Sequence, residues 1–449
     1  MNLYAKLLER EAAGKPVTVG VIGAGKFGTM FLSQARLTRG LHVVGVADLN
    51  VERARSQLAT AGWDAPSYAA PSLGDAFKTR KTHVGADADA LISFPDVEVI
   101  VEATGDPKSG IRFALAAIAH GKHIVMVNVE ADALAGPLLA RKAQAAGVVY
   151  SLAWGDQPAL ICEHVDWARA AGFEVVSAGK GTRYHPTFHQ STPDTVWDNF
   201  GLPLEVVAKG GMNPKMFNSF IDGTKSGIEM TAVCNATGLT PQPDGLSFPP
   251  SSVYDLAKVC KPQASGGKLA ITGTTEVVSS LHRDKSPVEN HLQVGTYVVI
   301  KCGHEYVQRC AQEYNILPDE TFEHMALYRP THMIGLELGI SVASAALRKE
   351  PTGSPTGFRS DVVATAKKNM KKGEMLDGEG GYCVWGKQTP ADRSLDQGLL
   401  PLGLAHNVKL KRDIAVGEQL KWADVEYDLN DSAVKVRREM EAAFGRRNV

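Results

Sequence analysis

The sequence predicts an α/β protein: a doubly wound parallel sheet of the Rossmann type, then an α+β catalytic and oligomerisation domain, then a β-rich C-terminal domain. Three observations predict it. Short continuous apolar runs alternate with helix-length segments from Val17 to Ala153, a glycine-rich turn follows the first run, and the rhythm breaks after Gly155. Continuous apolar runs mark strands covered on both faces, and their alternation with helices marks a parallel sheet.

In chain order, strands are expected at Val17–Ile22, His42–Ala47, Val97–Ala103, His123–Val127 and Val148–Ala153. Helices are expected over Lys26–Arg39, Pro107–His120 and Asp132–Ala146. The middle region is rich in Gly, Asn, His and Lys, with helices predicted near Asp222–Asn235, Glu305–Tyr314 and Thr331–Leu347. EPTGSPTG at 350–357 has the composition of a linker. These signals divide the chain into 1–155, 156–357 and 358–449. The last part carries an internal echo: AKKNMKKGE at 366–374 and LKRDIAVGE at 410–418 share basic, Asn/Asp, apolar and Gly-Glu positions.

Composition bounds the function. The 449 residues carry 48 basic and 49 acidic side chains, a formal net charge of −1. That balance speaks against an extended nucleic-acid footprint, which needs a basic face. The start, MNLYAKLLEREAAGK, reads as an amphipathic helix without an apolar core and cleavage site, and no run has the length of a membrane span. A cytoplasmic protein with no membrane partner is expected. The six cysteines form no CxxC pair, so reduced, packed thiols are expected.

The strongest motif is VIGAGKFG, in which Gly23, Gly25 and Gly28 make G-x-G-x-x-G between a predicted strand and a predicted helix. In this arrangement the first glycine permits the turn, the second admits a pyrophosphate, and the third lets helix and strand pack closely. Lys26 and Phe27 open the helix, whose free N–H groups suit phosphates. Asp48 lies 20 residues after Gly28, where an acid accepts from a ribose hydroxyl. A carboxylate favours NAD, whereas Lys26, Arg53 and Arg55 favour a 2′-phosphate, so NAD and NADP both stay open. Thr104–Gly105 in VEATGDP and Asn128–Glu130 in VNVEAD fall at strand C-terminal ends, and Asn128 is placed to bond the nicotinamide ribose.

Candidates for chemistry follow in the middle region. GKGTRYHP brings Lys180, Arg183 and His185 together, and GGMNPKMFNSFIDGTKSGIE adds Asn213, Lys215, Asn218, Asp222, Lys225 and Glu229. An anionic substrate needs converging cations, and Arg offers a bidentate fork for phosphate. Lys215 sits in a Gly/Asn/Pro-rich loop, a common place for chemistry. Lys225 and Glu229, at i and i+4, read as a surface pair. His332 and Glu337, five apart in YRPTHMIGLELG, are poorly spaced as ligands; His332 serves equally as a cap or a catalytic group. No resident metal cage is expected, while a substrate-bridged divalent cation stays open.

VIGAGKFG, VEATGDP, the Asn128–Glu130 loop, GKGTRYHP, FIDGTKSGIEM and YRPTHMIGLE occur in that order, before the Gly-Glu tail. Together they resemble the homoserine-dehydrogenase-like oxidoreductases with a C-terminal SAF (β-clip) domain, and within them the deoxyxylulose-phosphate-reductoisomerase-like (DRL) group. The resemblance spans nearly the whole chain. It implies NADPH-dependent conversion of 1-deoxy-D-xylulose 5-phosphate to 2-C-methyl-D-erythritol 4-phosphate, in isoprenoid precursor synthesis, by a homodimer or higher homo-oligomer. Arg183 and Lys180 would then hold the phosphate, and Lys215, Asn213 and Glu130 would serve proton transfer and the enediolate oxygens. One departure stands out. Homoserine dehydrogenases carry Ala-Asn-Lys where this chain has Asn128, Val129 and Glu130. Two rivals remain: a dehydrogenase of a small hydroxy acid or aldehyde on the same fold, and a non-catalytic protein sensing dinucleotide and sugar acid.

Overall fold

A computed structural model describes residues 2–209, 212–314 and 316–445. The chain divides into two compact units, Met1–Leu160 with Met333–Thr356, and Ile161–His332 with Gly357–Val449.

The first unit is built on six parallel strands: β1 (Val17–Ile22), β2 (Leu41–Ala47), β3 (His83–Gly85), β4 (Val99–Glu102), β5 (His123–Met126) and β6 (Tyr150–Leu152). Their order is β3-β2-β1-β4-β5-β6, the Rossmann order with its switch point between β1 and β4. Every residue of β1 is buried, as a strand covered on both faces requires. Polar residues at the predicted turns start the helices. Asn50 accepts from Arg53 N, Asp106 from Ser109 N ahead of Pro107, and Asn128 from Ala131 N.

The structure differs from the sequence reading in several places here, the unassigned helix Val51–Thr60 among them. β3 was not expected; at three residues it has no periodicity to read. The helix Val129–Ala145 starts three residues earlier than Asp132, because the Asn128 cap fixes its first turn. The region expected as one helix from Thr331 is helical only over Gly339–Arg348. That helix buries Val342, Ala343 and Ala346 in the same core as Val19, Val21 and Val101. Residues 333–356 therefore belong with the nucleotide-type sheet and not with a 156–357 domain, as their apolar face dictates.

The second unit holds a mixed sheet of β7 (Glu174–Thr182), β8 (Thr274–Ser279), β9 (Thr296–Lys301), β10 (Leu317–Pro318) and β11 (His324–Arg329), in the order β10-β11-β9-β7-β8. β7 runs parallel to β8 and antiparallel to β9. One apolar cluster gathers Ile161, Val165, Met230, Val233 and Ala311 with strand residues, and another gathers Leu256, Ala257, Cys260 and Leu269. The helix Thr224–Thr237 is buried from Ser226 through Asn235.

Residues after Gly357 fold within this second unit. They form the pair β12 (Ser360–Ala366) and β14 (Val384–Pro390), the three-stranded set β13 (Met375–Asp377), β15 (His406–Leu410) and β16 (Val425–Glu426), and a final helix Ser432–Phe444. The two echo segments clasp each other. Met370 N donates to Ile414 O (2.8 Å) and Ile414 N to Met370 O (2.9 Å). Gly373 N donates to Leu410 O and Gly417 N to Ala366 O, both at 2.8 Å. Lys372 N meets Asp413 Oδ1, and Val416 N meets Asn369 Oδ1. Each bond has a counterpart at the matching echo position, so the repeat is a local two-fold. Gly373 and Gly417, at φ 91° and 81°, supply the left-handed turns.

The final helix is tied down by Arg437, which is fully buried. Its guanidinium reaches both carboxylate oxygens of Asp361 on β12 and Glu441 one turn on, while Ser394 Oγ donates to Asp361 Oδ2. Breaking such a pair leaves a buried charge unmatched. Arg437→Leu is expected to lower unfolding free energy by about 3–5 kcal/mol in a denaturant titration. Pairing it with Asp361→Leu should recover part of that loss; a single variant as stable as the parent would refute the assignment.

Candidate dinucleotide and catalytic sites

The glycine turn at the end of β1 has the geometry its spacing predicts. Gly23 adopts φ 96°, and a Cβ there would lie 2.7 Å from Ala103 O. A Cβ on Gly28 would strike Gly23 O, so only glycine lets the helix Lys26–Ala35 sit this close to the strand. Gly25 caps the helix from an extended conformation with open space beside its α-carbon. Lys26 is exposed on the first turn and Phe27 is half-buried. A free helix N-terminus, an exposed ammonium and an unobstructed backbone fit a pyrophosphate.

Asp48, at the end of β2, is buried and knits the turn together. Its Oδ2 accepts from Ala24 N (2.9 Å) and its Oδ1 from Asn50 N (2.8 Å). Arg53, itself half exposed, places Nη2 at 2.9 and 3.0 Å from the two oxygens. The carboxylate that would repel a 2′-phosphate is thus already matched by a guanidinium. Arg55 is half-buried on the same helix.

At the C-terminal ends of β4 and β5 lie groups that sequence reasoning missed. Glu102 is wholly buried; its Oε1 accepts from Thr104 N (3.0 Å) and from Thr104 Oγ1, while Oε2 makes no hydrogen bond. Burial lifts its carboxyl to about 7 despite the Thr104 bonds. Asp132, in the first turns of the helix Val129–Ala145, is equally buried and also lifted to about 7 by burial. Tyr150 donates to Asp132 Oδ1 (2.9 Å), leaving Oδ2 without a hydrogen bond. The signal for Glu102 was present in VEATGDP, as a charged residue inside an apolar strand. Thr104 and Gly105 are exposed. Asn128 is buried, and its Nδ2 donates to Asp106 O (2.9 Å) while its Oδ1 caps the helix, so it is first of all a structural residue. Glu130 is half-buried in that helix's first turn.

In the second unit the expected substrate residues each have a different partner. Lys180, on β7, is buried and paired with the buried Glu229 carboxylate. This corrects two expectations. Lys180 is not a free cation for a phosphate, and Glu229 is an interior group, not half of a surface pair with Lys225. β7 is buried from Val175 through Gly181, so Lys180 lies in the interior, where burying an ammonium requires a counter-charge. Arg183, beyond the strand end and half-buried, donates Nε to Asn199 O (2.9 Å). Asn213 is exposed and caps the helix Pro214–Ile221, its Oδ1 accepting from Lys215 N (2.9 Å) and Met216 N (3.2 Å). Lys215 Nζ donates to Asp377 O, in the strand set after Gly357. His185 bridges Thr187 and Arg283 O, and His332 meets Val294 O (2.7 Å), both half-buried. Asn218 Nδ2 donates to Ser191 O and Gly380 O, and Lys367 Nζ lies 2.7 Å from Asp222 Oδ2, deep in the unit. Among the described residues no group of three His, Cys, Asp or Glu is disposed to hold a metal ion. No helix among them is long and apolar enough to cross a membrane.

Comparison with known proteins assigns the two regions separately. Residues 19–152 match the family model described as homoserine dehydrogenase, NAD binding domain. Residues 155–338 match the one described as oxidoreductase DRL, catalytic domain. Both models describe domains of oxidoreductases, one of them NAD-binding. The chain is also similar to two curated proteins named 1-deoxy-D-xylulose 5-phosphate reductoisomerase, from two strains of Xanthomonas oryzae pv. oryzae. Each is 29% identical over 233 residues, 49% of this chain. The chain spans about half (54%) of the length of these relatives. Among solved structures it is similar to a probable dehydrogenase from Thermotoga maritima, at 13% identity and TM-score 0.38 over 75% of this chain and 90% of that one. It is also similar to an NAD binding oxidoreductase from Klebsiella pneumoniae, at 20% identity and TM-score 0.27 over 37% and 43%.

Two outcomes follow from this geometry. Gly28→Ala, which forces a methyl into Gly23 O, is expected to weaken dinucleotide binding at least about tenfold in a fluorescence titration. Asp132, with its folded-state pKa raised from 3.8 to about 7, contributes stability that is full below about pH 4 and lost as pH rises through 7. Asp132→Asn keeps the acceptor for Tyr150 and removes that loss. Its melting temperature should exceed the parent's by more at pH 8 than at pH 5, the difference corresponding to roughly 2–3 kcal/mol. A gap independent of pH would show that the carboxyl is not held neutral by the fold.

Proposed function

We propose that this oxidoreductase is an NADPH-dependent reductoisomerase that converts 1-deoxy-D-xylulose 5-phosphate to 2-C-methyl-D-erythritol 4-phosphate. The observation that carries the reading is the match of residues 155–338 to the DRL catalytic domain. The name of the two Xanthomonas relatives points the same way. The preference for NADPH rests on the Asp48–Arg53 pair, which offsets the carboxylate and leaves a guanidinium at the ribose end.

The reaction moves a carbon branch of the ketose phosphate to give an aldehyde, then reduces that aldehyde. A bound nicotinamide dinucleotide supplies the hydride. Arg183, its Nε held by Asn199 O, presents the rest of its fork to the phosphate; Lys180 is left out because Glu229 already takes its charge. Lys215 is the cation assigned to the enediolate oxygens, where matched donors lower the barrier. Glu130, at the nicotinamide end of the first unit, is the assigned proton-transfer group. A homo-oligomer is part of the same reading.

The test is consumption of NADPH that depends on 1-deoxy-D-xylulose 5-phosphate, with the methylerythritol phosphate identified as product. Absence of turnover in a folded sample that binds NADPH would overturn the substrate. A panel of small aldehydes and hydroxy acids then addresses the simple dehydrogenase reading, which the homoserine-dehydrogenase-type NAD binding domain favours. Arg53→Ala is expected to raise KM for NADPH about ten- to a hundredfold and KM for NADH little, the scale of a charge-assisted hydrogen bond.

A further inference from the structure

Thr104 stands where the β4 strand leaves the sheet, at the switch point between β1 and β4 where such sheets bind ligands. The residue is exposed, yet it is fastened to a wholly buried carboxylate. Thr104 N donates to Glu102 Oε1 at 3.0 Å, and Thr104 Oγ1 bonds the same oxygen. An oxygen already accepting an N–H in this way acts as an acceptor toward the hydroxyl as well, so the single hydroxyl proton of Thr104 points inward at Glu102. A threonine hydroxyl has one proton and two lone-pair sites. With the proton committed, what Thr104 offers to the surface is lone pairs only. Asn128 Nδ2 lies 3.5 Å from Oγ1 but donates at 2.9 Å to Asp106 O, so it does not use them well. Gly105, at φ 76° with open space at its α-carbon, keeps the adjacent backbone clear for a flat ring.

We propose that Thr104 is an acceptor-only contact for the N–H₂ group of the nicotinamide carboxamide, and that Glu102 is the positioning residue that makes it so. A carboxamide presents a donor end and an acceptor end; an acceptor-only partner selects the donor end and so fixes which way the group, and with it the ring, is turned. This deepens the dinucleotide reading above and rests on it.

The test uses the full chain and dissociation constants, not turnover. NADP⁺ and its 3-acetylpyridine analogue are titrated against the wild type and three variants, with protein fluorescence as the readout. The analogue keeps the carbonyl oxygen and lacks the N–H₂ group. Thr104→Val should weaken NADP⁺ roughly three- to tenfold, the scale of one neutral hydrogen bond, and leave the analogue unchanged. Thr104→Ser should behave as wild type. Glu102→Leu frees the hydroxyl proton, so the preference for NADP⁺ over the analogue should collapse toward unity whatever happens to overall affinity. Glu102→Gln, which still offers an acceptor oxygen to Thr104, should restore it. Equal loss of both ligands in Thr104→Val, or an unchanged preference in Glu102→Leu, overturns the proposal while the dinucleotide reading stands. Failure of the wild type to bind either ligand overturns both.

Discussion

Much of the first unit depends on one close approach, that of the helix Lys26–Ala35 to the end of β1. Gly28 meets Gly23 O and Gly23 meets Ala103 O at distances that leave no room for a side chain. Once the three backbones are this close, Ala24 N has a single place to point, and Asp48 fills it. Asp48 in turn needs a counter-charge because it is buried, and Arg53 on the next helix supplies one. The turn, the strand pairing of β1 with β2 and the start of the helix Val51–Thr60 are therefore one linked constraint. The anion-binding helix end is what that constraint leaves open to solvent.

This dependence explains why so much of the first unit was legible in sequence. Val17–Ile22 matches its expected strand residue for residue, and four further strands and the three helices fall within a few positions of their predicted limits. Continuous burial and tight turns leave strong local marks. Much of what escaped was non-local or brief, although the ten-residue helix Val51–Thr60 escaped as well. β3 has three residues, and no period of two can be read from three. The return of Gly339–Arg348 to the nucleotide sheet depends on a core more than two hundred residues distant in sequence. Lys180 and Glu229 are both legible as charged residues, but only the fold shows that each is the other's counter-charge. The C-terminal echo lies between these cases: the pattern is visible in sequence, whereas the reciprocal bonding of Met370 with Ile414 is a property of the folded pair.

Buried charge separates structural from functional groups more sharply than residue type does. In the second unit several interior ions are matched by an opposite charge, while the buried Glu276 is held by neutral donors from Gln242, Ser247, Phe248 and Val277. Arg437 has Asp361 and Glu441, Lys180 has Glu229, and Lys261 has Asp319, which His324 also contacts. Burial raises the Asp319 carboxyl, but the bonds from Lys261, His324 and Thr321 more than reverse this, holding it at about 2. Such pairs neutralise each other's charge inside the unit.

Glu102 and Asp132 follow the opposite pattern. Both are fully buried, neither has a cation partner among its hydrogen bonds, and each keeps one oxygen without a bond. A buried carboxyl with an oxygen left unbonded costs stability, so these two positions are candidates for a role beyond packing. Their location supplies one, since both lie where β4 and β5 end, the side of a doubly wound sheet that carries ligands. A carboxyl held near neutrality accepts hydrogen bonds without placing a full negative charge beside the redox end of a dinucleotide. That property allows Glu102 to set the direction of the Thr104 hydroxyl without repelling an anionic cofactor. An ion-paired carboxylate at the same place would fix the loop equally well, but its cation would also stand beside a nicotinamide bound as proposed, whose charge changes on hydride transfer. In the proposed binding mode the unmatched acid orients the loop without adding a cation beside the ring.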